Sequence, residues 1–202
     1  MITRTIAAAL AVGLVAPGCS SFLTKQSASS YLILDSLQAS RGSEPDEKSG
    51  QLASDVLTYV KVGDVRVPTV FADGLTASLR LAMKDPGSGD SVTEPSTTNF
   101  ITLTRYHVRF VRSDGRNTEG VDVPYAFDGA FTLTVGTGPA SVSVTLVRVQ
   151  SKSEAPLKAL VGVATSISTI AEVTFYGKDQ TGRDVSVAGK ISVNFSDWGD
   201  PE

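Results

Sequence analysis

Leu75, Ala77, Leu79, Leu81 and Met83 alternate with polar Thr76, Ser78 and Arg80, and Lys84 follows on the polar side. A period of two sends successive side chains to opposite faces of a pleated strand. One face is then buried and the other wet, which is the mark of an antiparallel sheet. A chain built from such segments must close a core between sheets, so this pattern limits the fold more than any other feature.

Similar segments recur along the chain. Tyr31-Leu32-Ile33-Leu34, extending to Leu37, is the first predicted strand. A charged, Gly- and Pro-bearing loop follows from Ser40 to Gly50. Val56 to Val60 is the next strand; Gly63-Asp64 turns the chain into Val65 to Phe71, where Pro68 calls for a sheet edge or a bulge. Asp85 to Thr98 reads as a second long loop. The strand predicted over Asn99 to Arg112 is unusually long and changes parity. Tyr106, Val108 and Phe110 face inward on one parity, with Arg105, His107 and Arg109 outward, whereas Ile101 and Leu103 sit on the other. A bulge near Thr104, or a change of partner sheet, reconciles them.

Ser113 to Asn117 is a turn, and Val121 to Phe127 a Pro-containing edge strand. Asp128-Gly129 separates it from Phe131 to Val135. Val142, Val144 and Leu146 alternate with Ser141, Ser143 and Thr145 in a further strand. Pro156 to Leu160 reads as one helical turn or a short crossover. Ala171 to Gly177 and Val185 to Phe195 form the strongest hairpin signal, closed by a type I turn with a left-handed glycine at Gly182. Gly189 marks a bulge or bend. The predicted fold is therefore all-β, an antiparallel β-sandwich of about 8–10 strands over residues 30–202, with a closed barrel as the alternative. In architecture it resembles the immunoglobulin-like sandwiches of bacterial envelope proteins. The Cys-Trp-Cys core of true immunoglobulin domains is missing, because the sole tryptophan, Trp198, lies at the tail.

The N-terminus carries a separate signal. Met1-Ile2-Thr3-Arg4 is cationic, Ile6 to Val15 is apolar, and Ala16-Pro17-Gly18 leads into Cys19, the only cysteine. A charged start, an apolar middle and a small-residue cut site compose a secretory signal. The apolar run has ten residues, against the roughly 20 needed to cross a bilayer. Gly18-Cys19 resembles the lipobox of bacterial lipoproteins, although Pro17 is unusual at its place. The resemblance implies a signal-peptide helix over residues 1–18, cleavage, and a diacylated Cys19 as lipid attachment site. Two glyceride chains make a stable anchor where one holds marginally. Ser20, in place of the aspartate that retains such proteins at the inner membrane, leans towards the outer membrane. Residues 19–29 then form a flexible tether that reaches about 35 Å when extended. A plain secretory signal would instead leave one unpaired thiol in an oxidising compartment.

Cleavage removes Arg4 and leaves 184 residues, with 17 basic against 21 acidic, a formal charge of −4. That length buries a sizeable core without staples. It must, since a single cysteine permits no intrachain disulfide. The acidic balance and the lack of a basic tract argue against nucleic acid as a partner.

Candidate chemistry is sparse. His107 is the only histidine, on a strand, and no Gly-x-Ser-x-Gly is present to complete a hydrolase triad. One histidine and one cysteine do not build the usual zinc site. The acidic groups Glu44, Asp46, Glu47 and Asp197, Asp200, Glu202 are candidate calcium loops, but neither has the EF-hand order. Glycosidase carboxylates cannot be picked from 21 acids. Tyr59, Tyr106, Tyr125 and Tyr176 could line a sugar-binding face or pack across strands. Asp85 to Asp90 lacks the Gly-Lys-Ser/Thr ending of a phosphate loop. The expectation is a non-catalytic envelope lipoprotein, without cofactor or metal. It would be held to the membrane by the lipid on Cys19 and act as a structural or protein-interaction module for an envelope protein partner. A glycan- or calcium-binding module is the alternative, and an enzyme the third reading.

Overall fold

The computed structural model describes residues 29–199. The predicted leader, Cys19 and all of the tether except Ser29 lie outside the described residues, as do Asp200 and Glu202.

Among the described residues the chain is all-β. The first strands are β1 (Ser30–Ser40), β2 (Gln51–Asp55), β3 (Thr58–Val62), β4 (Val65–Thr69) and β5 (Asp73–Met83). Two short pieces follow, β6 (Gly87–Ser88) and β7 (Ser91–Val92), then β8 (Ile101–Val111), β9 (Phe127–Val135) and β10 (Ala140–Val147). A short helix α1 (Val149–Ser153) and a 3₁₀ turn (Leu157–Leu160) lead to the closing hairpin, β11 (Ser166–Asp179) and β12 (Asp184–Ser196). One antiparallel sheet has the order β1-β5-β10, and a second has the order β2-β12-β11-β8-β9. Within the second sheet β2 runs parallel to β12. The pairs β3-β4 and β6-β7 are separate two-stranded ribbons.

The β5 alternation is seen directly. Leu75, Ala77, Leu79 and Leu81 are buried at the centre of the three-stranded sheet, and Arg80 reaches out to Asp35 at 2.8 Å. From the second sheet, Val108, Phe110, Phe175 and Phe195 join them in one apolar core. The parity change in β8 is a bulge at Thr104, which has no partner in either flanking register. Ile101, Leu103, Tyr106, Val108 and Phe110 are all buried as a result.

Gly177 sits opposite this bulge. A Cβ there would overlap the carbonyl oxygen of Thr102 and lie 2.7 Å from Leu103 Cα. Both are backbone atoms that no rotamer change can move. Gly177→Ala is therefore expected to lower stability by about 1–3 kcal/mol, the usual cost of overpacking. Chemical denaturation checks it, with Gly138→Ala, in open space, as the comparison.

The β11–β12 turn closes as expected, with Gly182 at φ +80°. Asp179 Oδ1 accepts the Thr181 N–H at 2.8 Å, the Thr181 hydroxyl at 2.7 Å and the Arg183 N–H at 3.0 Å. Burial alone would raise this carboxyl. The three donors and the Arg183 charge outweigh it and hold the group below the usual carboxylate range.

Four expectations need correction. The predicted strand Val56–Val60 is split, because Asp55 bonds the Leu57 N–H and the Thr58 hydroxyl and turns the chain there. Val121 to Ala126 forms no strand; the Thr118 carbonyl gathers the amides of Val121, Asp122 and Val123 into a turn, and the chain enters β9 only at Phe127. Asp128-Gly129 does not turn; it lies inside β9, with Asp128 opposite His107 and Gly129 opposite Tyr106. Gly129 is required there because a side chain would collide with the Tyr106 ring. Finally, the β12 register runs through Gly189 without a shift. That glycine makes room for Leu34 and Leu37 of β1 across the core.

Candidate functional site

Strand directions separate two ends. Ser30 of β1 pairs with Met83, so the first described residues, Ser29 and Ser30, lie beside the 85–99 loop and the 179–184 turn. At the other end of β1, Ser40 pairs with Gly74. The second end also holds the 41–50 loop, the β3–β4 ribbon, α1 and Trp198. The 11 residues of β1 separate the ends by about 35 Å, at ~3.3 Å per residue.

A buried ion pair organises this far pole. Lys152 Nζ of α1 lies 2.9 Å from Asp73 Oδ2 of β5, and each side chain is 1 % exposed. The Ser54 hydroxyl donates to the same oxygen at 2.6 Å, and the Gly42 N–H donates to Oδ1 at 3.0 Å. Four segments distant in sequence thus meet at one carboxylate. Buried charge is tolerated only when paired and hydrogen-bonded in this way. The Ser151 hydroxyl, beside Lys152, is buried without a protein partner.

Asp197 and Trp198 are strapped across the same end. The Trp198 N–H donates to Asp55 Oδ1 at 3.1 Å and its indole Nε1 to the Ser54 carbonyl at 3.2 Å. Asp197 Oδ2 accepts the Gly162 N–H at 2.5 Å. Beside Trp198 opens a cleft of ≈ 510 Å³. Its wall is the outward side of β2 and β12, where Ala53 and Asn194 are register partners. Its rim is the 41–50 loop, with Arg41, Glu44, Glu47 and Lys48. Arg41 is braced by the Ala53 carbonyl at 2.8 Å and lies 3.9 Å from Glu44.

The β3–β4 ribbon projects from this pole. Register pairing puts Val60 with Val67 and Val62 with Val65 on one face, and Lys61 with Arg66 on the other. Val62 and Val65 are each 63 % exposed. Pro68 lies in this ribbon, as its missing donor predicts.

The residues singled out from sequence are dispersed. His107 lies on the outer face of the second sheet, 3.3 Å from Asp128, which also accepts from Arg105 at 3.2 Å. Glu172 continues that outer face between Arg109 and Lys190. Its carboxyl is lowered chiefly by the Lys190 hydrogen bond. The four tyrosines do not form a platform. Tyr106 is buried, where desolvation raises its phenol against the lowering effect of its bonds to Thr145. Tyr176 stacks with Arg105 at 4.3 Å, and Tyr59 and Tyr125 are exposed in separate segments. Among the described residues no group of three or more His, Cys, Asp or Glu could hold a metal ion. Glu44 and Glu47 border the cleft, whereas Asp46 is not among its lining residues. Asp85 to Asp90 carries the first strand of the β6–β7 ribbon, with Gly87 and Gly89 at positive φ.

Sequence reading missed the Asp73–Lys152 pair and the use of Trp198 as a wall. Asp73 precedes a glycine and reads as turn chemistry. The only hint at Lys152 was the absence of a clear pattern around it. No family model matches the chain, and none of the curated proteins or solved structures matches it either.

Proposed function

We propose that the protein is a non-catalytic envelope lipoprotein anchored through Cys19. Its immunoglobulin-like β-sandwich offers the pole away from the anchor to an envelope protein partner. The observation that carries this reading is the β3–β4 ribbon. A two-stranded ribbon is marginal in water, and this one leaves a valine face solvent-exposed. Apolar patches of this kind mark interaction sites, and the edges of such a ribbon can add a partner strand. The anchor rests on the apolar run and Gly18-Cys19. It also agrees with the N-terminal entry of β1 at the opposite end, which would point the ribbon away from the membrane.

Intact mass of the native protein tests the anchor. Cleavage before Cys19 and a mass increment for acyl chains are expected, and both are lost in Cys19→Ser. An uncut, unmodified N-terminus would remove the assignment. For the ribbon, a photocrosslinker at Val62 is expected to capture one defined envelope protein, and one at Thr174 on the outer sheet face is not. Equal capture from both positions would count against a specific partner.

A glycan-binding module is the second reading, and the cleft beside Trp198 is what favours it.

A further inference from the structure

We infer that the cleft between Trp198 and the 41–50 loop is a binding site for a short neutral saccharide. The cleft measures ≈ 510 Å³, within the ~300–1,000 Å³ of small-molecule sites. Its charges balance, since Arg41 and Lys48 line it together with Glu44 and Glu47, all from one loop. A phosphate or other anion would meet two carboxylates, and a cation would meet two bases. Arg41 is moreover already held by the Ala53 carbonyl and Glu44. An apolar ligand would strand the amides of Gln51 and Asn194, which also line the cleft.

A neutral polyol suits all of these groups at once. A sugar ring has an apolar C–H face and an equatorial belt of hydroxyls that both donate and accept. The Trp198 indole supplies a rigid aromatic wall for the first, its Nε1 and backbone N–H being fixed to Ser54 and Asp55. The Gln51 and Asn194 amides and the rim carboxylates supply planar partners for the second. Asn194 stands on β12 and Gln51 on β2, so regular strands fix the backbone from which both amides reach the cleft. The inference depends on the envelope reading only in that such an environment holds glycans.

Trp198 is the only tryptophan, so intrinsic fluorescence reports on the cleft without a label. The full-length chain is titrated separately with chitotriose, cellotriose and maltotriose. A saturable change with at least one of them is expected, with a Kd on the order of 1 mM. Asn194→Ala and Gln51→Ala are expected to weaken it about tenfold each while leaving the thermal midpoint unchanged. Asn194→Gln and Gln51→Asn, which keep the amide, should restore part of it. The inference is overturned if no trisaccharide saturates the signal, or if the response survives both alanine substitutions. Intact mass of the native protein separates the two proposals: an uncut, unmodified N-terminus with sugar binding intact refutes the lipoprotein reading alone, and an acylated Cys19 without sugar binding refutes only the cleft.

Discussion

Lys152→Met is expected to lower the unfolding free energy by about 3–5 kcal/mol, the typical cost of removing one partner of a buried ion pair. A domain of ordinary stability holds only about 5–15 kcal/mol in all, so the loss would be severe. The reason lies in what is left behind. Asp73 would keep the Ser54 hydroxyl and the Gly42 N–H but lose its charged partner, at a position 1 % exposed. Asp73→Asn alone should also be costly, because it leaves the Lys152 ammonium buried against a neutral amide. The double variant Asp73→Asn/Lys152→Met should recover most of the loss. An asparagine can still accept from Gly42 and donate to the Ser54 oxygen, and the methionine fills the lysine stem's volume. Denaturant midpoints for the three variants, at unchanged slope, give the coupling energy directly. Single variants within about 1 kcal/mol of the parent would refute the account of the pole as organised by this pair.

The second large effect is expected at Phe175. Phe175→Ala should cost about 3–5 kcal/mol, as aromatic truncations in a closed core do. Its ring is fully buried, 5.9 Å from Phe131 and 6.4 Å from Tyr106. The neighbouring Tyr106 ring cannot fill the space, since it is itself wedged against Gly129. Tyr176→Ala, one residue on, removes an aromatic of similar size from the opposite face of the same strand. It loses only the stacking with Arg105 at 4.3 Å, worth about 0.5–1 kcal/mol at an exposed site. Equal costs at the two positions would mean that the facing of β11 is wrong.

These two sites differ in how far the sequence announces them. The period-two pattern of Glu172, Val173, Thr174 and Phe175 is enough by itself to assign Phe175 to the core. The same holds for β5, and for the bulge in β8, where two parities in one strand admit few other solutions. The Asp179–Gly182 turn is local chemistry and equally legible. Asp73 and Lys152 are not. Each is an ordinary surface residue type, the first beside a glycine and the second in a segment with no period. Only their meeting makes them core residues. Asp128-Gly129 misleads for a related reason. The pair is a strong turn signal, overridden here because the Tyr106 ring occupies the space above Gly129 and Asp128 finds His107 and Arg105 across the strand.

The amino-acid sequence by itself determined that the described chain is all-β, and which side chains of its long strands meet water. Those outcomes depend on each side chain's own affinity for water and on the two-residue repeat of a strand, and both are local. Tertiary structure alone decided that β2 runs parallel to β12, that Trp198 lines a cleft, and that a lysine and an aspartate share the interior. Such arrangements depend on which distant segments close upon each other. A charge can be buried only where that closure supplies its partner.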